Sequence, residues 1–585
     1  GEAEREWLMI RATACTRLED ELCALRDYST IVSRTPNFVP AINGLASIAL
    51  QNEDLSKANS YKEIEKKKRT FKARVIENEL DDIRRDVKEI RDEEKSIIGI
   101  NFWISLFVTV LVMIFAFSAG EDLADFAQWI AGFVTKYLNW FYVLVASGFL
   151  IFLLFLASGR FGSVVLGHPD ERPEFSNFSW YSMLFSAGMG VGILFYGSAE
   201  PMSHFLNSPV DPSGSAAAAT SAMTYSAFHW GLHAWGIYTV CAVGIAYYGF
   251  RKRKRYLVSS SILNFTSNKK LQTVVKSTTD LISILAVIFG VSTSLGVGVL
   301  QISKGLNHVF DMETSNFMGY AVIISIITLV FIISSSTGLK KGIRILSNLN
   351  MIIAILLLLF VFIVGNTLFD LKVFVNSIGQ YLQELPALSF RLNPYDANYE
   401  NWMGDWTLSY FTWWIAWAPF VGIFIARISK GRTVRELIVG CLLVPAIFSL
   451  FWFSVFGGTA IHLEMIDKIP IGGAMLKEIS VGTFLLFEQL PLSSVTSVTA
   501  LFLLFTFLVT SADSATFVIS MMTSEGDLDP TMRMKITWGI VLGVLSLVLL
   551  AGGGIKALQA ATLIFAFPFS FVLIMIARSL YFRLS

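Results

Sequence analysis

Long apolar runs constrain this chain more than any other feature. About a dozen stretches of some eighteen or more predominantly apolar residues recur from Ile97 onwards, the length an α-helix needs to cross a bilayer. They read as 98–119, 140–158, 178–197, 224–250, 279–301, 317–336, 346–368, 407–426, 437–460, 495–522, 534–551 and 557–579. Inside hydrocarbon each backbone N–H and C=O is paired within its own segment, so the expected fold class is an all-α polytopic membrane protein with twelve transmembrane helices. A 54% hydrophobic composition and a mean hydropathy of +0.59 agree. The stretch 371–388 has helical periodicity but is too short and polar to cross; it is expected to lie along the outer membrane surface.

Charge sets orientation. The loop after the fourth span carries RKRKR (251–255) with Lys269 and Lys270; the loop after the sixth carries Lys340, Lys341 and Arg344; the loop after the eighth carries Arg427, Lys430, Arg432 and Arg435. The loops between are poor: 198–220 has no Lys or Arg, and 120–139 has only Lys136. Basic short loops stay inside, which places the chain in the plasma (inner) membrane among its lipids with both termini cytoplasmic. The first residues are charged and the apolar spans start late, so no cleavable signal peptide is expected.

Ahead of the first span, more than half of residues 51–100 are charged. Within them Ala73, Ile76, Leu80, Ile83, Val87, Ile90 and Ile97 form a stripe of period near 3.5, which reads as a cytoplasmic coiled-coil stalk over 51–97 joining protomers. A single solvated helix packed on its own N-terminal element is the alternative. Residues 1–50 read as a small helical element of unknown function. Cys15, Cys23, Cys241 and Cys441 show neither paired nor metal-ligand spacing and are read as reduced thiols.

Two spans advertise irregular backbone, which lipid tolerates only around a protein-lined cavity. The third contains SAGMGVG, with Gly188, Gly190 and Gly192, each costing up to about 1 kcal/mol relative to alanine in a helix. The eighth contains Pro419 beside Trp413, Trp414 and Trp417. Broken helices at equivalent places in two halves mark inverted-repeat transporters. This divides the chain into spans 1–2 (98–175), a first five-helix repeat (176–406, spans 3–7) and a second (407–585, spans 8–12). The alternative for the glycines is close helix packing.

The fourth span adds FHWGLHAWGIY, with Phe228, Trp230, Trp235 and Tyr238. No Asp, Glu, Lys or Arg lies between Asp211 and Arg251, nor between Asp405 and Arg427. Aromatic faces without a formal charge suit a quaternary ammonium, which has no N–H to donate. A ligand that carries its own carboxylate needs none from the cage. The residues thus point to a small methylated zwitterion or cation, the competing account being aromatic filling of a helix bundle. His229 and His233 lie four apart with no third metal ligand in view and are read as packing or hydrogen-bonding groups; Asp513, inside a span, is read as a structural acceptor or a member of a proton relay.

Four motifs, SAGMGVGILFYGSAEP (186–201), FHWGLHAWGIY (228–238), WWIAWAPFVGIFIARISKGRT (413–433) and TSADSAT (510–516), carry a resemblance to the betaine/choline/carnitine transporter family from about Asn101 onwards. The resemblance implies the leucine-transporter fold in spans 3–12, a homotrimer, and secondary transport of compatible solutes by alternating access. It places an aromatic cage at Trp230, Trp235, Tyr238 and Trp414, with Trp413 and Trp417 lining the approach and Pro419 helping to open the helix. Gly188, Gly190 and Gly192 would border the substrate. Members that import choline with protons look to carry an aspartate where this chain has Gly192, so glycine betaine is favoured. One sodium site would take carbonyls from Ser186, Met189 and Phe507 and hydroxyls from Thr510 and Ser511. A second would involve Phe420, but Val287 and Val291 stand where hydroxyls are needed, which puts it in doubt.

The expected function is therefore sodium symport of a glycine betaine-like solute. Alternatives are proton-coupled or exchange transport of choline, carnitine, ectoine or a dimethylsulfonio solute, or a membrane sensor signalling through the stalk. Neither an enzyme, nor a nucleic-acid partner, nor a cofactor beyond Na⁺ is expected. The topology has a direct check. A membrane-impermeant maleimide added to intact cells is expected to label Ser213→Cys and to spare Lys254→Cys in a background without other cysteines. The reverse pattern would invert the orientation.

Overall fold

The computed structural model describes residues 2–17, 21–35, 38–51, 99–119, 122–188, 190–262, 268–336, 342–527 and 530–584. The chain forms two compact units, Gly1–Ile97 and Ile98–Ser585. The proposed stalk and its apolar stripe fall within 52–98 and lie outside the described residues.

In the first unit three helices, α1 (Glu2–Arg17), α2 (Glu21–Arg34) and α3 (Val39–Gln51), enclose a small core with Leu8, Ala12, Tyr28, Ile31 and Leu45. Three side-chain pairs join α1 to α2: Arg34 with Glu4, Arg11 with Asp27, and Cys15 with Cys23. As one partner advances along the chain the other retreats by the same number of residues, the register of an antiparallel hairpin. Arg11 holds the buried Asp27 carboxyl below its usual range through a side-chain hydrogen bond. The reading of all four cysteines as reduced thiols is corrected here. The hairpin brings the Cα atoms of Cys15 and Cys23 to 5.8 Å and the two form a disulfide, at a separation such a bond spans. Cys241 and Cys441 are buried and free.

The second unit is all-helical: α4 (Ile100–Ala119), α5 (Asp122–Ser158), α6 (Asn177–Gly188), α7 (Val191–Tyr196), α8 (Ala199–Leu206), α9 (Ala216–Trp230), α10 (Leu232–Ala246), α11 (Lys269–Phe310), α12 (Phe317–Ser336), α13 (Gly342–Val364), α14 (Thr367–Leu388), α15 (Ala397–Met403), α16 (Ser409–Ile428), α17 (Val434–Met465), α18 (Gly472–Lys477), α19 (Gly482–Glu488), α20 (Ser493–Thr523) and α21 (Met532–Leu584). Nine helices among the described residues are long and apolar enough to cross a membrane. The outer helices expose apolar rows, as on α4 with Trp103, Phe107, Leu111 and Ile114, the surface that lipid rather than water accommodates.

The departures from the expected spans have local causes. The third expected span is divided between α6, ending at Gly188, and α7, starting at Val191 after Gly190, and the fourth is split at Gly231. Gly190 (φ −98°, ψ −129°) and Gly231 (φ −97°, ψ −133°) take nearly the same non-helical conformation. The break at Gly231 was not expected. The break expected at Pro419 is absent: α16 is helical throughout Ser409–Ile428 with the proline inside it, a missing N–H that neighbouring helices accommodate. Its irregularity lies about three turns earlier, in a π-helical turn at Gly404–Leu408 just ahead of α16. The segment 120–139, read as a loop, is largely helix α5, which buries Leu123, Ala127 and Val134 along one side. The last two expected spans form one element, α21, interrupted by the non-helical Gly554. The polar stretch at 371–388 is helical within α14, which buries Asp370, Ser377, Tyr381 and Leu388. The basic loops after the fourth and eighth spans meet at one end, where Arg251, Arg253, Lys254 and Lys430 line a groove with Glu171; Lys430 pairs with Glu171 at 2.7 Å.

Gly554 sits at φ 59°, ψ −148°, a region open essentially to glycine alone. Gly554→Ala is expected to destabilise by about 1–3 kcal/mol, lowering the thermal midpoint of the detergent-solubilised protein. An unchanged midpoint would show that the chain tolerates a side chain at this kink.

Candidate functional site

The break at Gly190 borders the aromatic helix, whereas the break at Gly231 lies against Tyr381 of α14. A narrow cavity is lined by Gly190, Val191 and Gly192 from the third span, Trp230 from α9, Val291 and Ser294 from α11, Trp413, Trp414 and Trp417 from α16, and Ser511 from α20, with apolar neighbours. No ionisable side chain is among its lining residues.

Each indole N–H finds its partner on another helix. Trp413 donates to Ser294 Oγ at 3.0 Å and Trp417 to the Gly290 carbonyl at 2.9 Å. Trp414 donates to the His229 carbonyl at 2.9 Å and Trp230 to Glu200 Oε2 at 2.8 Å. A buried indole N–H has to be paired, and these pairs fix the ring planes. Trp413 and Trp414 lie parallel, 4° apart with centroids at 5.4 Å, and Tyr410 continues the stack at 18° to Trp414. Trp230 stands edge-on to Trp414 at 5.1 Å. Tyr238 meets Trp414 edge-on at 5.9 Å and Trp235 meets Tyr238 at 5.7 Å. Both adjoin the stack from behind, and neither is among the lining residues. Small residues make the arrangement possible. A Cβ on Gly192 would lie 2.6 Å from the Trp230 ring, so the indole occupies space that only glycine leaves.

The expected sodium ligands lie partly in view. Gly190 and Ser511 are adjacent, a Cβ on Gly190 falling 3.5 Å from Ser511 Oγ. Thr510 bonds back to the Thr506 and Phe507 carbonyls at 3.1 and 3.0 Å, the local bond open to any helical threonine. It also accepts from Asn350 Nδ2 at 3.4 Å, and the buried Asn350 Oδ1 has no partner among the described residues. Phe507 is buried beside them. Gly188 and Ser186 belong to the end of α6, and Met189 lies outside the described residues. Phe420 packs edge-on against Trp417 at 5.4 Å. Of the hydroxyls next to Val291, Thr293 bonds the Leu558 carbonyl and Thr562 and Ser294 receives Trp413, while the buried Ser292 Oγ has no hydrogen-bond partner among the described residues. Asp513 accepts from Ser334 at 2.7 Å.

Sequence reasoning missed a buried polar cluster behind the cage. Glu200 has no exposed surface and receives Trp230, Tyr410, His229 and, at 3.4 Å, His204. The available signal was a carboxylate at the end of an apolar span in GSAEP. Glu200, His204 and His229 are near enough to hold a metal, but both carboxylate oxygens already accept hydrogen bonds and both His229 nitrogens have partners, Nδ1 at Glu200 and Nε2 at Thr407. His233 points away from them, to Ser147 and Ser389.

Apolar spans surround a cavity beside the helix break at Gly190, as in a multi-pass membrane protein, and the proteins similar to it are transporters. Residues 100–585 match the model of the betaine/carnitine/choline family transporters (BCCT). The chain is 43% identical over 485 residues to the glycine betaine transporter OpuD of Bacillus subtilis, covering 83% of this chain and 94% of that one. It is 40% identical to an ectoine/hydroxyectoine transporter of Virgibacillus pantothenticus, over 82% and 95% of the two chains. It is 38% identical to a glycine betaine transporter of Acinetobacter baylyi, over 81% and 72%. The chain belongs to the betaine/carnitine/choline transporter family. Among solved structures, MhsT in complex with L-phenylalanine aligns with 71% of this chain and 97% of its own at a TM-score of 0.39 and 14% identity, a likeness too weak to bear on the fold.

Gly192→Ala forces the Trp230 ring out of its place. Overpacking of this kind costs about 1–3 kcal/mol, so solute uptake is expected to fall about ten-fold or more at equal membrane abundance. Unimpaired uptake would separate this contact from function.

Proposed function

We propose that the chain imports a methylated zwitterion of the glycine betaine type together with Na⁺, by alternating access of two inverted five-helix repeats within twelve spans. The observation that carries this reading is the cavity lining: four indoles held by interhelical hydrogen bonds, with no ionisable side chain among them. Each aromatic face contributes roughly 0.5–2 kcal/mol toward an onium head. The ligand's own carboxylate would meet backbone N–H groups at the Gly190 break, where a half-helix N-terminus favours negative charge. Gly192 supports a zwitterion over choline, since the Trp230 ring fills the space an aspartate side chain would take. The substrate named for the Bacillus relative agrees; the Virgibacillus relative makes ectoine the competitor to measure.

The proposed cation site joins carbonyls of Ser186, Met189 and Phe507 to the hydroxyls of Thr510 and Ser511. Its support is the adjacency of Ser511 to the Gly190 break and the back-bonded Thr510 next to Asn350. No second sodium site is proposed.

Uptake of labelled glycine betaine into proteoliposomes tests the reading. An inward Na⁺ gradient is expected to drive accumulation, with ectoine and choline competing weakly. A pH gradient without Na⁺ should not drive it. Proton-driven uptake would overturn sodium coupling, and no uptake of any methylated onium would overturn the substrate class. Thr510→Ala combined with Ser511→Ala is expected to raise the Na⁺ concentration for half-maximal uptake about ten-fold; an unchanged Na⁺ dependence would remove both hydroxyls from the site.

A further inference from the structure

We propose that Glu200 supplies the counter-charge for the ligand's onium head, transmitted through the Trp230 and Tyr410 rings rather than by contact, and so sets the preference for a cationic head over a neutral one of the same shape. The inference rests on the aromatic-cage reading above.

The carboxylate is wholly buried, and its partners come from three segments. Trp230 Nε1 on α9 donates to Oε2 at 2.8 Å and the Tyr410 hydroxyl on α16 to the same oxygen at 2.5 Å; His229 Nδ1 lies 2.7 Å from Oε1 and His204 Nε2, on Glu200's own helix, lies 3.4 Å from it. Every ion-pair contact of Glu200 among the described residues is with a histidine; neither Lys nor Arg takes part. The surroundings of His204 suit a neutral imidazole. His229 can donate through Nδ1 and accept at Nε2 from Thr407 Oγ1, 2.9 Å away. His204 Nδ1 is buried without a hydrogen-bond partner. A proton there would be an orphaned donor, which a buried site disfavours. With neither Lys nor Arg among its partners, the carboxylate shares its negative charge with the two aromatic donors and the histidines.

That charge sits behind the cage wall. Trp230 lines the cavity, and Tyr410 stacks on Trp414 and stands edge-on to Trp230 at 5.5 Å. A carboxylate that accepts an N–H or O–H from an aromatic ring pushes electron density onto it, making its face more negative and a better seat for a cation. The rings also screen Glu200 from the ligand's own carboxylate, which a glutamate in direct contact would repel. A zwitterion thus gains at its head without losing at its tail.

The test compares glycine betaine with 3,3-dimethylbutanoate, in which carbon replaces the quaternary nitrogen. Both compete for sodium-driven uptake in proteoliposomes containing the full chain. Wild type should prefer betaine. Glu200→Gln keeps an acceptor for the rings but removes the charge; it should raise the KM for betaine about ten-fold while leaving the inhibition constant of the butanoate nearly unchanged. Glu200→Asp should recover part of the preference. Tyr410→Phe carries the test independently of how well Glu200→Gln folds. With one of the two ring donors gone, the preference for betaine should fall, by less than in Glu200→Gln, while the inhibition constant of the butanoate stays nearly unchanged. Equal losses for both ligands in Glu200→Gln or Tyr410→Phe would show a purely structural cluster and overturn the inference. A wild-type chain that binds the butanoate as tightly as betaine would instead overturn the cage reading itself.

Discussion

Four indole N–H groups, each bonded to a different helix from its own, hold the centre of this molecule together. Trp413 and Trp417 reach α11, Trp414 reaches the last turn of α9, and Trp230 reaches Glu200 on α8. A tryptophan has one donor, so satisfying it in a dry interior leaves the ring little freedom. The hydrogen bonds that stabilise the bundle thereby also aim the π faces. Packing and recognition are the same set of contacts, and a change to one partner is felt by both.

The glycines have the complementary role. Gly190 and Gly231 take almost identical backbone angles on neighbouring spans, and Gly192 makes room for the Trp230 ring. Broken helices in lipid leave unpaired backbone groups that only a protein-lined cavity can tolerate. At Gly190 the irregular backbone lines the same cavity as the rings, while at Gly231 the freed N–H of Leu232 is taken by the Tyr381 hydroxyl.

Much of this was legible in the sequence because composition forces it. Apolar runs announced the helices, and the third-span glycines announced one break. Trp413, Trp414 and Trp417 announced an aromatic wall. What failed did so for local reasons. Pro419 suggested a break, yet one missing N–H does not interrupt a helix supported on several sides. Gly231 passed unnoticed as a lone glycine between Trp230 and Leu232. Residues 122–139 carry Asp122, Asp125 and Lys136 and so read as a loop, although they contain nothing that ends a helix. Glu200 was invisible as a site residue because GSAEP looks like the edge of a loop; only the fold shows that three segments close over it. Pairing of Cys15 with Cys23 likewise requires the hairpin register, which spacing alone does not reveal.

The central claim is that rings, not charges in contact with the ligand, recognise a methylated onium. Equilibrium binding to the purified protein in Na⁺, across glycine betaine, dimethylglycine, sarcosine and glycine, tests it most directly. Replacing each methyl by an N–H adds a donor that the aromatic faces pair less well than water does. Affinity is therefore expected to fall at every step, by roughly 0.5–1 kcal/mol each on the scale of cation–π contacts. Glycine binding as tightly as glycine betaine would contradict the account.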